Sequence, residues 1–207
     1  MQARNASAAD GSTDHDPFAG GEIQRVVPAT PPQIEIWLAD RLDRAASLAY
    51  NESESFIFDG PLNIRALNSA LQALVQRHDA LRSTIAPDGQ TLCVSGSAEL
   101  PMEFQDLRGL SSRVREARVG EVTVAAVETP FSLEHGPLIR GVLLHLEDAR
   151  HQLVLTTHHA VCDGWSWGIL KRELATLYCA AVECFPLAEA LPPAPSFADY
   201  EIGRAHV

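Results

Sequence analysis

Four cysteines, two methionines and 6% aromatic residues are a thin supply for a chain of 207 residues. Cys93, Cys162, Cys179 and Cys184 match neither a C-x-x-C pair nor a zinc ribbon, which argues against a structural metal and reads as reduced, partly buried thiols. No stretch approaches the ~20 consecutive apolar residues of a membrane span. Basic residues are also scarce, 16 against 27 acidic ones, for a formal net charge of −11. Nucleic acid and anionic membranes both need basic patches to displace counterions, so neither is expected as a partner. The acidic excess is a solubility feature and says little about fold. Residues 1–25 hold no apolar core and few basic residues. They read as a disordered leader or inter-domain linker, neither signal nor transit peptide, and the chain is expected in the cytoplasm. What remains is ordinary: 46% apolar and 21% charged, a soluble globular composition with room for one large domain or two small ones.

Order is expected from Val26. Thr30-Pro31-Pro32-Gln33 has the form of a capping box with proline in the first turn, and Ile34, Trp37, Leu38 and Leu42 form a stripe for a helix over about 31–44. Ser55-Phe56-Ile57-Phe58 reads as a short strand ending at Asp59-Gly60-Pro61. Asn63 caps a second helix whose stripe is Leu67, Ala70, Leu71, Leu74, Val75 and His78. Asp88-Gly89 between Thr84-Ile85 and Leu92-Cys93-Val94 predicts a hairpin, and Met102-Glu103-Phe104 a weaker edge strand. A helix follows over 114–127, then antiparallel strands over 138–146 and 151–157, then a helix over about 166–183 with Leu170, Leu174, Leu177 and Ala181 inward. Prolines 186, 192, 193 and 195 break regular structure before Ser196-Phe197-Ala198-Asp199-Tyr200 restarts a helix.

The chemistry concentrates between the last strand and the last long helix, in Thr156-Thr157-His158-His159-Ala160-Val161-Cys162-Asp163-Gly164-Trp165-Ser166. A neutral imidazole takes or gives a proton near neutral pH. Adjacent residues on a strand point to opposite faces, so one of His158 and His159 faces a cleft and the other packs inward. The alternation alone does not say which. Asp163 either orients the imidazole or pairs with an arginine, Arg77 or Arg82, since an unpaired carboxylate there is costly. Histidines at a strand end are more often satisfied structural residues. Two histidines and an aspartate also suit a metal triad, but adjacent strand histidines diverge.

The segment His158-His159-Ala160-Val161-Cys162-Asp163-Gly164-Trp165-Ser166 resembles the HHxxxDGxS signature of condensation domains of nonribosomal peptide synthetases. Three more stretches match in order: Thr30 to Trp37 resembles the opening S/T-x-x-Q-x-x-x-W motif, Arg77-His78-Asp79-Ala80-Leu81-Arg82 the RHExLR motif, and Pro130-Phe131-Ser132-Leu133 through Gly136-Pro137-Leu138-Ile139-Arg140 the stretch before the core hairpin. Ser196-Phe197-Ala198-Asp199-Tyr200 is similar to the start of a fifth. The resemblance implies an α/β fold, a chloramphenicol-acetyltransferase-like two-layer sandwich. It is the N-terminal half of a V-shaped, two-lobed domain, with the lobe over 26–185 and a Pro-rich crossover toward the missing C-terminal lobe over 186–207.

By the same resemblance, His159 is the catalytic histidine, acting on the amine of a carrier-tethered aminoacyl acceptor as base or positioning group. His158 faces inward. Asp163 is an architectural ion-pair partner of Arg77, Gly164 allows a tight turn and close approach to substrate, and Trp165 and Ser166 complete the motif. No cofactor or metal is bound directly. The substrates arrive on the 4′-phosphopantetheine arms of donor and acceptor carrier domains (peptidyl or acyl), and the C-terminal lobe comes from the same or an adjacent chain. Both histidines stand, which argues against heterocyclisation. Ser166-Trp167 also suits an epimerisation relative, but Arg77 and Trp37 favour condensation. Two rival readings are a catalytically inactive half-domain that docks carriers and a coenzyme A-dependent acyltransferase of the same fold.

Overall fold

The computed structural model describes residues 22–199. Among the described residues seven strands form two sheets. The smaller has the order β1-β4-β3, with β1 (Ile23–Pro28), β3 (Ser83–Ile85) and β4 (Thr91–Ser95) antiparallel throughout. The larger has the order β2-β7-β6-β5. Its β2 (Asn51–Asp59), β7 (Arg150–His158) and β6 (Ile139–Glu147) are antiparallel, and β5 (Met102–Asp106) runs parallel to β6 at one edge.

Two helices cover one face of the larger sheet. Asn63 caps α3 (Ile64–Arg77) by accepting the Ala66 N–H at 3.1 Å, and α3 buries Leu67, Ala70, Leu71, Leu74 and Val75 of the stripe read from sequence, while His78, expected on it, is the C-cap just past the helix. The last long helix, α5 (Gly164–Val182), buries Trp167, Leu170, Leu174, Leu177 and Ala180. All of these side chains except Ala180 close on Leu143 of β6 and on Leu153 and Leu155 of β7 in one core. The alternate residues of β6, Leu144 and Leu146, pack on the other face against Val122 of α4 (Ser112–Glu128). A strand buried on both faces reads as a continuous apolar run, and β7 is buried from His151 to His158.

Several expectations shift. The expected start at Val26 falls inside β1, an edge strand of which only Val27 is buried. The strand expected at Ser55 begins at Asn51, because its first half is polar and carries no hydrophobic period. The α1 helix (Pro31–Leu42) buries Gln33 and Ile36, while Leu38 and Leu42 of the expected stripe are 53% and 79% exposed. A hydrogen-bonded glutamine, not a leucine, sets the inward face of its first turn. A short α2 (Arg44–Leu48) follows, capped by Asp43. Inside the last helix the inward alanine is Ala180, not Ala181.

The hairpin turn does more than reverse the chain. Gly89 has φ +68°, and a β-carbon on it would lie 2.4 Å from the Trp37 ring. Helix α1 is thereby seated flat on the β3–β4 turn, with Arg41 stacked over the same indole at 4.9 Å. Beyond α5, residues 197–199 are helical, where a restart is expected. Tyr200 and residues 1–21 lie outside the described residues. The Asp79 carboxylate ties this segment to the lobe by accepting from the Ser196 hydroxyl at 2.6 Å and the Phe197 N–H at 2.8 Å. Among the described residues no helix is long and apolar enough to cross a membrane.

Candidate active site

Strand β7 delivers the two histidines to opposite faces. His158 is 1% exposed. Its ring meets Phe131 edge-on at 6.1 Å and Tyr50 tilted at 6.1 Å, and Nδ1 accepts the Ala160 N–H at 3.3 Å. Nδ1 is therefore the acceptor and the proton sits on Nε2, which has no partner among the described residues. Burial draws this imidazole down from the ordinary 6.5 to about 4; Asp40 opposes the shift, and His159 and Arg140 add to it. His158 is a neutral core residue at physiological pH.

His159 points outward, its side chain 40% exposed. Its N–H donates to the Tyr50 carbonyl at 2.8 Å, extending the β2–β7 ladder by one rung, and the Tyr50 ring stacks beside it at 6.4 Å. Nδ1 lies 2.6 Å from Oε1 of Glu52. The second carboxylate oxygen, Oε2, accepts the Trp167 indole N–H at 3.1 Å. No hydrogen bond to the Nε2 of His159 occurs among the described residues.

No motif or periodicity picks out Glu52. The signal that could have found it is register. Glu52 pairs with Thr157 across the β2–β7 ladder and so shares a face with His159, two residues on. Two residues of strand advance about 6.7 Å, and four residues of helix about 6 Å. Trp167 and Lys171, one helical turn apart, therefore meet Glu52 and Glu54, at 3.1 and 2.8 Å.

The loop between His159 and the helix is held from two sides. Gln33, buried in α1, donates from Nε2 to the Ala160 carbonyl at 3.2 Å while its Oε1 accepts the Thr30 N–H at 2.9 Å. That puts the opening motif in contact with the His-His loop. Val161 N–H closes a turn onto the His158 carbonyl at 3.1 Å. Cys162 is buried, and burial pushes its thiol up to about 12, which keeps it protonated and inert. A cavity of about 460 Å³ adjoins the loop, walled in part by Leu81, Cys162, Ser166, Glu173 and Phe197, and His159 is not part of its wall.

The condensation-domain family model matches residues 23–204. This chain belongs to the condensation-domain family. Chondramide synthase cmdD of Chondromyces crocatus is 37% identical over 177 residues, covering 84% of this chain and 4% of that protein. Malpibaldin synthetase of Mortierella alpina is 34% identical over 183 residues, 84% of this chain and 3% of that one. The condensation-family chain thus spans a small fraction of the length of its curated relatives. The starter condensation domain of the rhizomide synthetase RzmA superposes with a TM-score of 0.75 at 24% identity, over 88% of this chain and 45% of that one. The four-domain nonribosomal peptide synthetase AB3403 gives 0.72 at 19% identity, over 90% and 14%. These structural likenesses establish the fold: the α/β sandwich of the N-terminal half of the chloramphenicol-acetyltransferase-like architecture.

Within that family signature, two expected roles change. Asp163 does not pair with Arg77. It is the N-cap of α5, accepting the Ser166 N–H at 2.8 Å and the Ser166 hydroxyl at 2.7 Å. The side-chain and backbone donors of Ser166 hold its carboxyl below the ordinary range. Arg77 instead donates to Glu173 from Nε at 2.8 Å, and His78 Nε2 lies 2.7 Å from the same oxygen. Burial opposes ionisation of Glu173, but Arg77 and His78 outweigh it and hold its carboxyl below the ordinary range. Glu173 lies ten residues past Asp163, about 15 Å along the helix axis. Charge type and order could not choose between the two carboxylates.

The tight turn expected of Gly164 is the second correction. Gly164 is the first residue of α5, its φ is not positive, and a β-carbon there would meet nothing within 4 Å. Within this lobe neither the turn nor packing requires glycine. Ser166 serves the cap. Trp165 is 88% exposed and, with Ile169 at 41%, leaves an apolar face on the first two turns of α5.

Proposed function

We propose that this chain is the N-terminal lobe of an amide-forming condensation domain, with His159 as its catalytic residue. The observation that carries the reading is the presentation of His159: an exposed imidazole with Nδ1 engaged by Glu52 and Nε2 without a hydrogen bond among the described residues. In the reaction, the amine of a carrier-tethered aminoacyl group attacks the carbonyl carbon of a donor thioester. The C–N bond forms, the C–S bond breaks, the amine proton leaves, and the phosphopantetheine thiolate is released. Nε2 of His159 accepts that proton or orients the amine by accepting its N–H. Proton transfer of this kind contributes typically 10²–10⁴-fold, and orientation adds to it.

The other residues act through structure. His158 anchors the strand end, Asp163 and Ser166 fix the start of α5, and Arg77 with Glu173 locks α3 to α5. The exposed Trp165–Ile169 face suits a complementary C-terminal lobe, in the same or an adjacent chain, with donor and acceptor carrier domains as partners. Both histidines in place favour condensation over heterocyclisation.

The test is amide formation from loaded carrier domains, with this chain joined to its C-terminal lobe. His159→Ala is expected to lower the rate by about 10²–10⁴. Undiminished product from His159→Ala would overturn the assignment.

A further inference from the structure

We infer that Glu52 is the positioning residue of the site: it fixes His159 as the Nδ1–H tautomer and thereby presents an unprotonated Nε2 outward. This deepens the proposed function and rests on it for its catalytic consequence, but not for its geometry.

The argument is one of donors and acceptors. A neutral imidazole has one N–H and one lone-pair nitrogen, and the bond made by one fixes the state of the other. A carboxylate such as that of Glu52 is acceptor-only. Its Oε1 lies 2.6 Å from Nδ1, so Nδ1 must carry the proton. Nε2 is then the acceptor, as a base or amine-binding group requires.

The carboxylate is itself held in place. The Trp167 indole is donor-only and occupies Oε2 at 3.1 Å. Trp167 is 4% exposed and anchored in the helix–sheet core. Glu52 sits in register opposite Thr157, and the His159 backbone is bonded to Tyr50. Strand, helix and loop therefore converge on one carboxylate, and its partner imidazole keeps little rotational freedom. The neighbouring His158 shows the contrast: its Nδ1 accepts from Ala160, so the two adjacent rings carry opposite tautomers.

The test uses the same logic in reverse. In Glu52→Gln, Trp167 can only donate, so the amide oxygen must face the indole. The amide NH₂ then faces Nδ1, which is forced to accept, and the proton moves to Nε2. Imidazole ¹⁵N spectra of the ¹⁵N-labelled chain at alkaline pH read this directly. Wild type is expected to show a pyrrole-like Nδ1 and a pyridine-like Nε2 for His159, and Glu52→Gln the reverse. In the condensation assay the same variant is expected to lose turnover by about 10²–10⁴ with little change in KM, the signature of a wrong tautomer.

A wild-type His159 protonated at Nε2 overturns the inference, and this outcome needs no variant to fold. An unchanged tautomer in Glu52→Gln overturns it as well. A reversed tautomer with undiminished turnover refutes the catalytic consequence. Turnover independent of His159 itself would sink the functional reading while leaving the tautomer assignment standing.

Discussion

His158 gives the sharpest stability prediction, because its environment differs most from water. The ring is 1% exposed and drawn down from 6.5 to about 4, chiefly by burial. The unfolded chain binds a proton on this histidine below its ordinary value, and the folded chain does not until its own value is reached. Between these limits the unfolded state holds more protons, so stability falls as pH falls, by about 1.4 kcal/mol for each pH unit. Above the unfolded value there is no penalty. Lowering the pH from about 7.5 to about 5 should therefore remove about 2 kcal/mol through this one side chain. Asp163 and Glu173, both held below the ordinary carboxylate range, also lose stability in acid, so the wild-type curve alone does not isolate His158. His158→Asn does. An asparagine can accept an N–H two residues on, as in an Asx turn, and so can keep the Ala160 contact made by Nδ1 without titrating. The variant is expected to be less stable near pH 7.5, because ring contacts with Phe131 and Tyr50 are lost. Its deficit relative to wild type should shrink by about 2 kcal/mol by pH 5. Urea unfolding of both proteins across this range measures the gap. A gap that stays constant with pH would refute the claim that His158 is buried and neutral.

Two further perturbations test the scaffold. Gly89→Ala combines a positive φ with a β-carbon placed 2.4 Å from the Trp37 ring; a loss of about 2 kcal/mol in urea unfolding is expected, and a neutral effect would mean that α1 is not seated on the turn. Double-mutant cycles should give a coupling of at least about 1 kcal/mol between Arg77 and Glu173, which are in contact, and additivity between Arg77 and Asp163. The reverse pattern would restore Arg77 as the partner of Asp163.

The residues legible in the sequence share a property: their role is local. Asn63 caps α3 because it stands just before an amphipathic run, and Asp88-Gly89 turns because the pair tolerates the conformation. Strand alternation alone puts His158 and His159 on opposite faces, and the structure assigns which is which. Resemblance to the family supplied the sandwich, which local pattern alone did not. What stayed hidden depends on register between distant elements. Arg77 meets Glu173 across 96 positions of chain, and nothing in either segment ranks Glu173 above Asp163.

Glu52 is the strongest case. It lies in the polar half of β2, where hydrophobic periodicity is silent, and it reaches His159 across 107 positions and Trp167 across 115. Once β2 is paired in register with β7, its placement follows from the two-residue period of a strand. Lys171 on Glu54 repeats the same match one helical turn later, so the contact with Trp167 is a consequence of matched strand and helix spacing rather than an isolated coincidence. The signature motif supplies the imidazole. The sheet register supplies the carboxylate bonded to it, so a search for partners of a motif histidine in this fold belongs on the neighbouring strand as well as in the loop that follows it.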